Sequence, residues 1–268
     1  MNYRAVIIMA IAALTLTSTV LAATVPGQGT WETTLQARDL NGDQKADAFH
    51  DTELNVTWLR DANMIGWRDW DGARNWADAL VIGHFNDWRL PGLIDTGAPG
   101  CDVAYGGTDC GFNVQTKDNE TVYSEIAHLW YITLGNIGYC NTDGSCNGSN
   151  DPISTGHFES LVPPATDMPR FWIGTEYPDP VHAWYFDTGG GFQGFDARDW
   201  GAYALALHPG DIGVAVPIPE PQSYIMLMLG LIFMALWQSI ERKSRHNSDS
   251  IQPKKRTPIF VFRSITPH

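Results

Sequence analysis

The sequence predicts an exported domain of mixed helix and strand, rich in loops and set between two terminal signals. Three observations carry this. Short runs rich in Trp, Tyr, Phe, Val and Thr recur between Gly- and Asp-rich stretches. Two windows place apolar residues at helical spacing. All four cysteines of the 268-residue chain fall in loop-like sequence.

The strand runs are residues 30–36, 54–59, 171–175, 183–187 and 202–208. A first helix is predicted over 72–82, with Trp76, Ala79 and Leu80 on one face and Asp71 as its N-cap. A second is predicted over 122–134, where Ile126, Leu129 and Trp130 form a buried stripe and His128 reads as a core or edge histidine. The rest is loop, and loops this long call for staples. Cys101, Cys110, Cys140 and Cys146 form an even set, which in an oxidising compartment reads as two disulfides. Four cysteines permit three pairings. CDVAYGGTDC and CNTDGSC are loops whose ends a local bridge can close, which favours Cys101–Cys110 and Cys140–Cys146. A zinc site fits poorly, because the spacings match no common ligand pattern.

Charge narrows the partners. The formal net charge is −13, but residues 23–218 hold 27 Asp and Glu against 9 Lys and Arg. Nucleic acids and sulfated polysaccharides need Lys and Arg partners, so this balance disfavours both. Neutral glycans, cations and basic partners remain. Ten of the 11 tryptophans lie in this segment. Most should be core, while any left exposed can stack on sugar rings.

Both ends carry addresses. Residues 1–22 have Arg4, an apolar stretch and small residues at Ala22 and Ala23, the pattern of a signal peptide cleaved after Ala22. Near the other end, VPIPEPQSYIMLMLGLIFMALWQSIERKSR places prolines, an apolar run over 224–240 and a basic cluster in sequence. The run approaches the ~20 residues of a membrane-spanning helix, and the basic cluster marks its cytoplasmic side. Pro219-Glu220-Pro221, helix and cluster resemble the PEP-CTERM sorting signal of exopolysaccharide-forming Gram-negative bacteria. That resemblance implies an exosortase as processing partner, an inner-membrane anchor before processing, and the cell surface or extracellular matrix afterwards. The chain thus divides into 1–22 (signal peptide), 23–213 (domain), 214–245 (sorting signal with transmembrane helix) and 246–268 (basic tail).

Within the domain, LNVTWLRDAN (54–63), NWADAL (75–80), NDWRLP (86–91), EIAHLWYITLGN (125–136), FWIGTEY (171–177), HAWYF (182–186) and YALALHPGD (203–211) resemble the Lcl C-terminal-type domain. The signature Trp88-Arg89-Leu90-Pro91 is shared more loosely with formylglycine-generating enzymes and other C-type-lectin-like folds. The resemblance implies a compact α+β domain with two helices, small antiparallel sheets and many ordered loops. It departs where residues 92–121 separate the signature from its helix, and where His208 replaces the usual Arg. Physically, the signature reads as structure: Trp88 and Leu90 bury apolar area, Arg89 forks onto a carboxylate or loop carbonyls, and Pro91 ends a strand.

Chemistry is sparse. DLNGDQKADAFHD places Asp39, Asn41, Asp43 and Asp47 at the first, third, fifth and ninth positions of a calcium loop, where hard cations find oxygen ligands. Gln44 stands where that loop wants Gly, and His50, followed by Asp51, stands where it wants Glu. The competing reading is a polar hairpin turn. There is no Gly-x-Ser-x-Gly elbow and no His-Glu-x-x-His, and the cysteines lie in disulfide-like loops. Glu176 and Asp179 are a carboxylate pair that a glycosidase could use, but so many acids guarantee some proximity. The expected function is therefore non-enzymatic: binding of polysaccharide or another surface ligand, with calcium as the one conceivable cofactor. The alternative is a structural biofilm component without a ligand, and a glycan-acting or formylglycine-generating-like enzyme ranks third.

Overall fold

The computed structural model describes residues 28–146, 152–162, 169–217, 230–235 and 237. It divides into a unit Met1–Ile218 and a unit Pro219–His268. The signal peptide, the Pro219-Glu220-Pro221 motif and the tail lie outside the described residues, as does most of 224–240, where 230–235 and 237 are helical. Among the described residues no helix is long and apolar enough to cross a membrane.

The first unit is α+β, with few helices and small antiparallel sheets. The chain opens with a helical turn, α1 (Trp31–Thr34), then β1 (Leu35–Asp39), β2 (Ala48–Asp51) and β3 (Val56–Leu59). Residues 30–34 are therefore not strand as expected. The amide of Thr34 and the hydroxyls of Thr33 and Thr34 all donate to the Thr30 carbonyl, which winds the chain into a turn. Helix α2 (Trp70–Ala79) follows, then the short strands β4 (Gly111–Phe112), β5 (Lys117–Asp118) and β6 (Thr121–Val122). Helix α3 (Glu125–His128) continues as a π-helical turn, Leu129–Thr133. The chain ends in β7 (Arg170–Glu176), β8 (His182–Asp187), β9 (Phe192–Ala197), β10 (Leu207–Pro209) and β11 (Val214–Ala215).

Two main sheets result, ordered β10-β3-β2-β1-β11 and β4-β9-β8-β7, with β5-β6 as a separate hairpin. Because β11 pairs with β1 at Asp39↔Val214, sheet pairing continues past residue 213. Of the run 202–208, only the end joins a ladder. Ala202 and Tyr203 instead make single bridges to Arg68 and Phe171, and residues 202–207 are buried throughout.

Both helices shift from their expected bounds. α2 starts at Trp70, because the Asp69 carboxylate accepts from the Gly72 amide at 2.8 Å while Asp71 pairs with Arg198 instead. Its buried residues are Trp70, Ala73 and Ala77, not Trp76, Ala79 and Leu80. α3 starts at Glu125 with Ser124 as cap, since Thr121–Val122 is already paired as strand. Ile126, Leu129 and Trp130 are buried as expected.

The signature segment 88–91 ties these parts together. Arg89 exchanges backbone hydrogen bonds with Leu207, beside the first sheet. The Pro91 carbonyl accepts from Gly174 of β7 at 2.7 Å, which reaches the second sheet. The Arg89 guanidinium forks onto Glu125 at 2.6 and 2.7 Å, and the Gly92 amide donates to the same carboxylate at 2.6 Å. Trp88 and Leu90 are buried in the common core, with Trp58, Trp70, Trp130, Trp172 and Trp184.

The cysteines join as Cys101–Cys110 and Cys140–Cys146. Disulfides of this kind mark an extracellular or secreted protein.

The fork makes a direct prediction. Glu125→Ala strips Arg89 and the Gly92 amide of their acceptor and should cost about 2 kcal/mol in urea unfolding. Arg89→Lys keeps the charge but loses the fork, and should recover less than half of that. A Glu125→Ala protein as stable as wild type would remove the segment from its structural role.

Candidate functional site

Among the described residues, two places that bring polar side chains together are candidates for a site. The first is the loop joining β1 to β2. Ligand atoms of Asp39, Asp43 and Asp47 lie within 4.8 Å of one another. Asp39 accepts from the amides of Asn41, Gly42 and Gln44 at 3.0, 2.6 and 2.7 Å. Burial alone would raise its pKa, but these backbone donors, Gly42 foremost, outweigh that and hold it below the ordinary value. Gln44 adopts φ +67°, the conformation for which a calcium loop uses Gly. The Asn41 amide nitrogen donates to Asp47 at 3.2 Å, and its oxygen accepts from the Asp43 amide.

Neither residue at the end of the motif completes this loop. His50 is buried on β2, 3.4 Å from the Asn55 side chain and 3.7 Å from Asp211. Asp51 is fully buried and accepts from the amides of Glu53 and Leu54. The loop thus offers three carboxylates and the Asn41 amide, but no bidentate closing ligand.

The second place is a cleft of about 450 Å³ built from three separated segments. Asp69 and Asp71 come from the start of α2, Val181 and His182 from the start of β8, and Arg198 and Asp199 from the turn after β9. Two backbone contacts align the outer segments: Arg68 and Ala202 exchange hydrogen bonds, and the Trp70 amide donates to the Arg198 carbonyl at 3.1 Å.

Every cation of the cleft is engaged. Arg198 forks onto Asp71 at 2.6 and 3.1 Å, lies 4.1 Å over the Trp70 ring and approaches Glu176 at 3.5 Å. Its hydrogen bond to the Asp71 carboxylate pushes its pKa still higher, so it stays charged. Arg74 lies 4.6 Å from the same ring and pairs with Glu176 at 2.7 Å. His182 Nδ1 meets both oxygens of Asp179 at 2.9 Å, an interaction that lowers the pKa of Asp179. The carboxylates Glu176 and Asp179, a pair in the sequence, are thus drawn to different partners. Asp199 has no hydrogen bond or ion pair among the described residues.

The same two segments carry the two most exposed tryptophans of the domain. Six of its ten are fully buried, and Trp31 and Trp76 pack against the core. Trp67 and Trp200 remain, 40% and 52% exposed. Trp67 lies across Gly201, where a Cβ would come within 1.2 Å of the indole nitrogen, and meets Tyr203 edge-on at 5.3 Å. Trp200 closes the turn after β9 by donating its amide to Ala197.

His128, expected at the core, is 4% exposed and its Nε2 lies 3.0 Å from Glu53. No family model matches the chain, and no curated protein or solved structure matches it either.

The acidic loop has a thermodynamic test. At a calcium concentration tenfold above its Kd, a bound ion adds about 1.4 kcal/mol, so millimolar calcium should raise Tm by a few degrees. The double change Asp39→Ala with Asp43→Ala should abolish that rise. A flat wild-type response would leave the loop a polar hairpin turn.

Proposed function

We propose that this chain is an exported surface or matrix protein whose domain binds a neutral polysaccharide at the cleft, with Trp67 and Trp200 on the segments that form it offering stacking faces. One observation carries the reading. All nine Lys and Arg of residues 23–218 already have partners: seven pair with carboxylates, while Arg68 donates to the Trp67 carbonyl and Lys117 to the Glu53 carbonyl. A phosphate or sulfate entering the cleft would have to displace Asp71 from Arg198 and face Asp69 and Asp199. A neutral sugar needs no cation. Its ring can stack on exposed indoles, and its hydroxyls can donate to Asp199.

The PEP-CTERM resemblance supports a place in an exopolysaccharide matrix, with an exosortase as processing partner and the apolar run as a temporary membrane anchor. The likeness to Lcl C-terminal-type, C-type-lectin-like domains supports a binding rather than a catalytic role. Calcium at Asp39, Asn41, Asp43 and Asp47 would stiffen the β1–β2 loop. A second reading, a structural matrix component without a ligand, is favoured by one fact: Asp69, Asp71 and His182 are all internally engaged.

A glycan array on the purified domain separates the two. Saturable binding to neutral glycans, with sulfated ones blank, is expected, and Trp200→Ala should weaken it about tenfold, ~1.4 kcal/mol. Gly201→Ala should do the same by pushing Trp67 off its seat. An array blank across all neutral glycans would favour the structural reading.

Sorting has its own test. A host with an exosortase should release the domain without the residues beyond about Pro221. Glu220→Ala should leave the full-length form in the inner membrane, because the apolar run still anchors it. Full-length, membrane-bound protein in wild type and variant alike would reduce the segment to an ordinary anchor.

A further inference from the structure

The Cys101–Cys110 loop holds a pair of acids that the cleft and the acidic loop leave unexplained. Asp109 is 3% exposed, and its Oδ2 accepts from the Thr96 amide at 2.7 Å. Asp95, the residue before, uses its Oδ2 to accept from the Gly100 amide at 3.0 Å. The remaining oxygens, Asp95 Oδ1 and Asp109 Oδ1, are both buried and meet no donor among the described residues. Because Asp109 holds the amide of Thr96, the residue next to Asp95, the two carboxyl groups meet at one corner and interact. Among the described residues, none of the ion pairs formed by Lys, Arg or His involves either one. The other ionisable groups at this loop are the Tyr177 phenol, beyond the end of β7, Tyr105, whose ring stacks toward Phe112, and Asp102, which accepts from the Ala98 amide.

Two bare carboxylates in this position would repel across a poorly solvated contact. One proton between the orphan oxygens replaces that repulsion with an O–H···O⁻ bond. A resident divalent ion would ask for more: the pair has only these two oxygens to give, whereas calcium takes at least six.

We propose that Asp95 and Asp109 share a single proton, and that this proton latches the Cys101–Cys110 loop onto Tyr177. Asp95 holds the Gly100 amide, and the next amide, that of Cys101, donates to the Tyr177 hydroxyl at 3.2 Å. Gly100 sits at φ +95° under that hydroxyl, where a Cβ would approach to 2.9 Å. From the other side, Gln193 of β9 donates to the Asp109 carbonyl and accepts from Ser124, the cap of α3. Tyr177 in turn stacks on Phe195 at 4.8 Å and meets His182 of the cleft at 5.8 Å. The latch therefore ends one ring away from the candidate binding site.

The sign follows from burial and the neighbouring acid. Burial first, then Asp95, pushes the Asp109 carboxyl up from 3.8 to about 6. The folded loop binds the proton more tightly than the unfolded chain, so its stability falls as pH rises from about 4 through about 6. The latch is closed in mild acid and loosened above neutrality.

Hydrogen exchange on the disulfide-intact domain tests this without any glycan. Protection factors, corrected for intrinsic exchange, are read for peptides spanning 95–110 at about pH 5 and about pH 7.5, with β8 peptides as the folding control. Wild type should lose about tenfold of its loop protection at the higher pH. In Asp109→Asn the new amide can donate to Asp95 in place of the proton, so protection should stay high at both values. Asp95→Asn, the reciprocal change, should behave alike and serves if the first variant fails to fold. A wild-type loop equally protected at both pH values would overturn the proposal, as would Asn variants that follow the wild-type drop. So would millimolar calcium that restores the low-pH protection at about pH 7.5, because a cation and not a proton would then bridge the pair.

Discussion

The fork between Arg89 and Glu125 is the constraint on which the rest of this fold depends. It joins elements that no strand ladder connects: the signature segment 88–91 and the first residue of α3. The segment itself touches both main sheets through the backbone, at Leu207 on one side and Gly174 on the other. The Glu125 side chain is 14% exposed and carries three charge-assisted hydrogen bonds, so it is both positioned and positioning. A carboxylate at the start of a helix is also where the backbone amides favour negative charge. Once the segment is fixed, Thr175 can exchange hydrogen bonds with the backbone of Leu93, and β7 is held in place for the cleft at its far end.

An acidic excess shapes the remainder. With three acids for every base, most carboxylates need an acceptor's role without a cation. Backbone amides donate to them repeatedly, to Asp39 at the end of β1, to Asp51 at the end of β2 and to Asp187 at the end of β8. Several arginines make long-range pairs instead: Arg38 forks onto Asp211, and Arg170 reaches Asp196 through one nitrogen. Asp95 and Asp109 are what is left when a buried contact has neither solution for its inner oxygens.

What the sequence disclosed was local. The acid spacing of 39–47 was legible because a turn needs only its own residues, and the short cysteine loops were legible for the same reason. Helix α2 was found but displaced, because Asp69 and Asp71 are both able caps and only the packing of Trp70 decides between them. β9 went unseen since three consecutive glycines read as loop. In the structure Gly194 lets the Phe192 ring and the Tyr185 hydroxyl approach, where a Cβ would meet them at 2.6 and 3.2 Å. The cleft was invisible for a different reason. Its walls come from residues 69–71, 181–182 and 197–199, and no periodicity links segments so far apart.

The tryptophan excess shows how such a gap closes. Counting could say only that ten is many; burial says which two are free. Trp67 and Trp200 stand on segments that are hydrogen-bonded to each other, and Gly201 between them in the fold is the one residue type whose absent side chain lets the Trp67 ring lie flat. Tyr177 links this region to the disulfide loop through Phe195 and His182. The loop inserted between signature and helix is therefore not an ornament on the scaffold. Its Gly100–Cys101 corner rests on Tyr177, whose ring meets His182 at the start of β8 and Phe195 of β9, so the corner is coupled to the edge of the cleft through the second sheet.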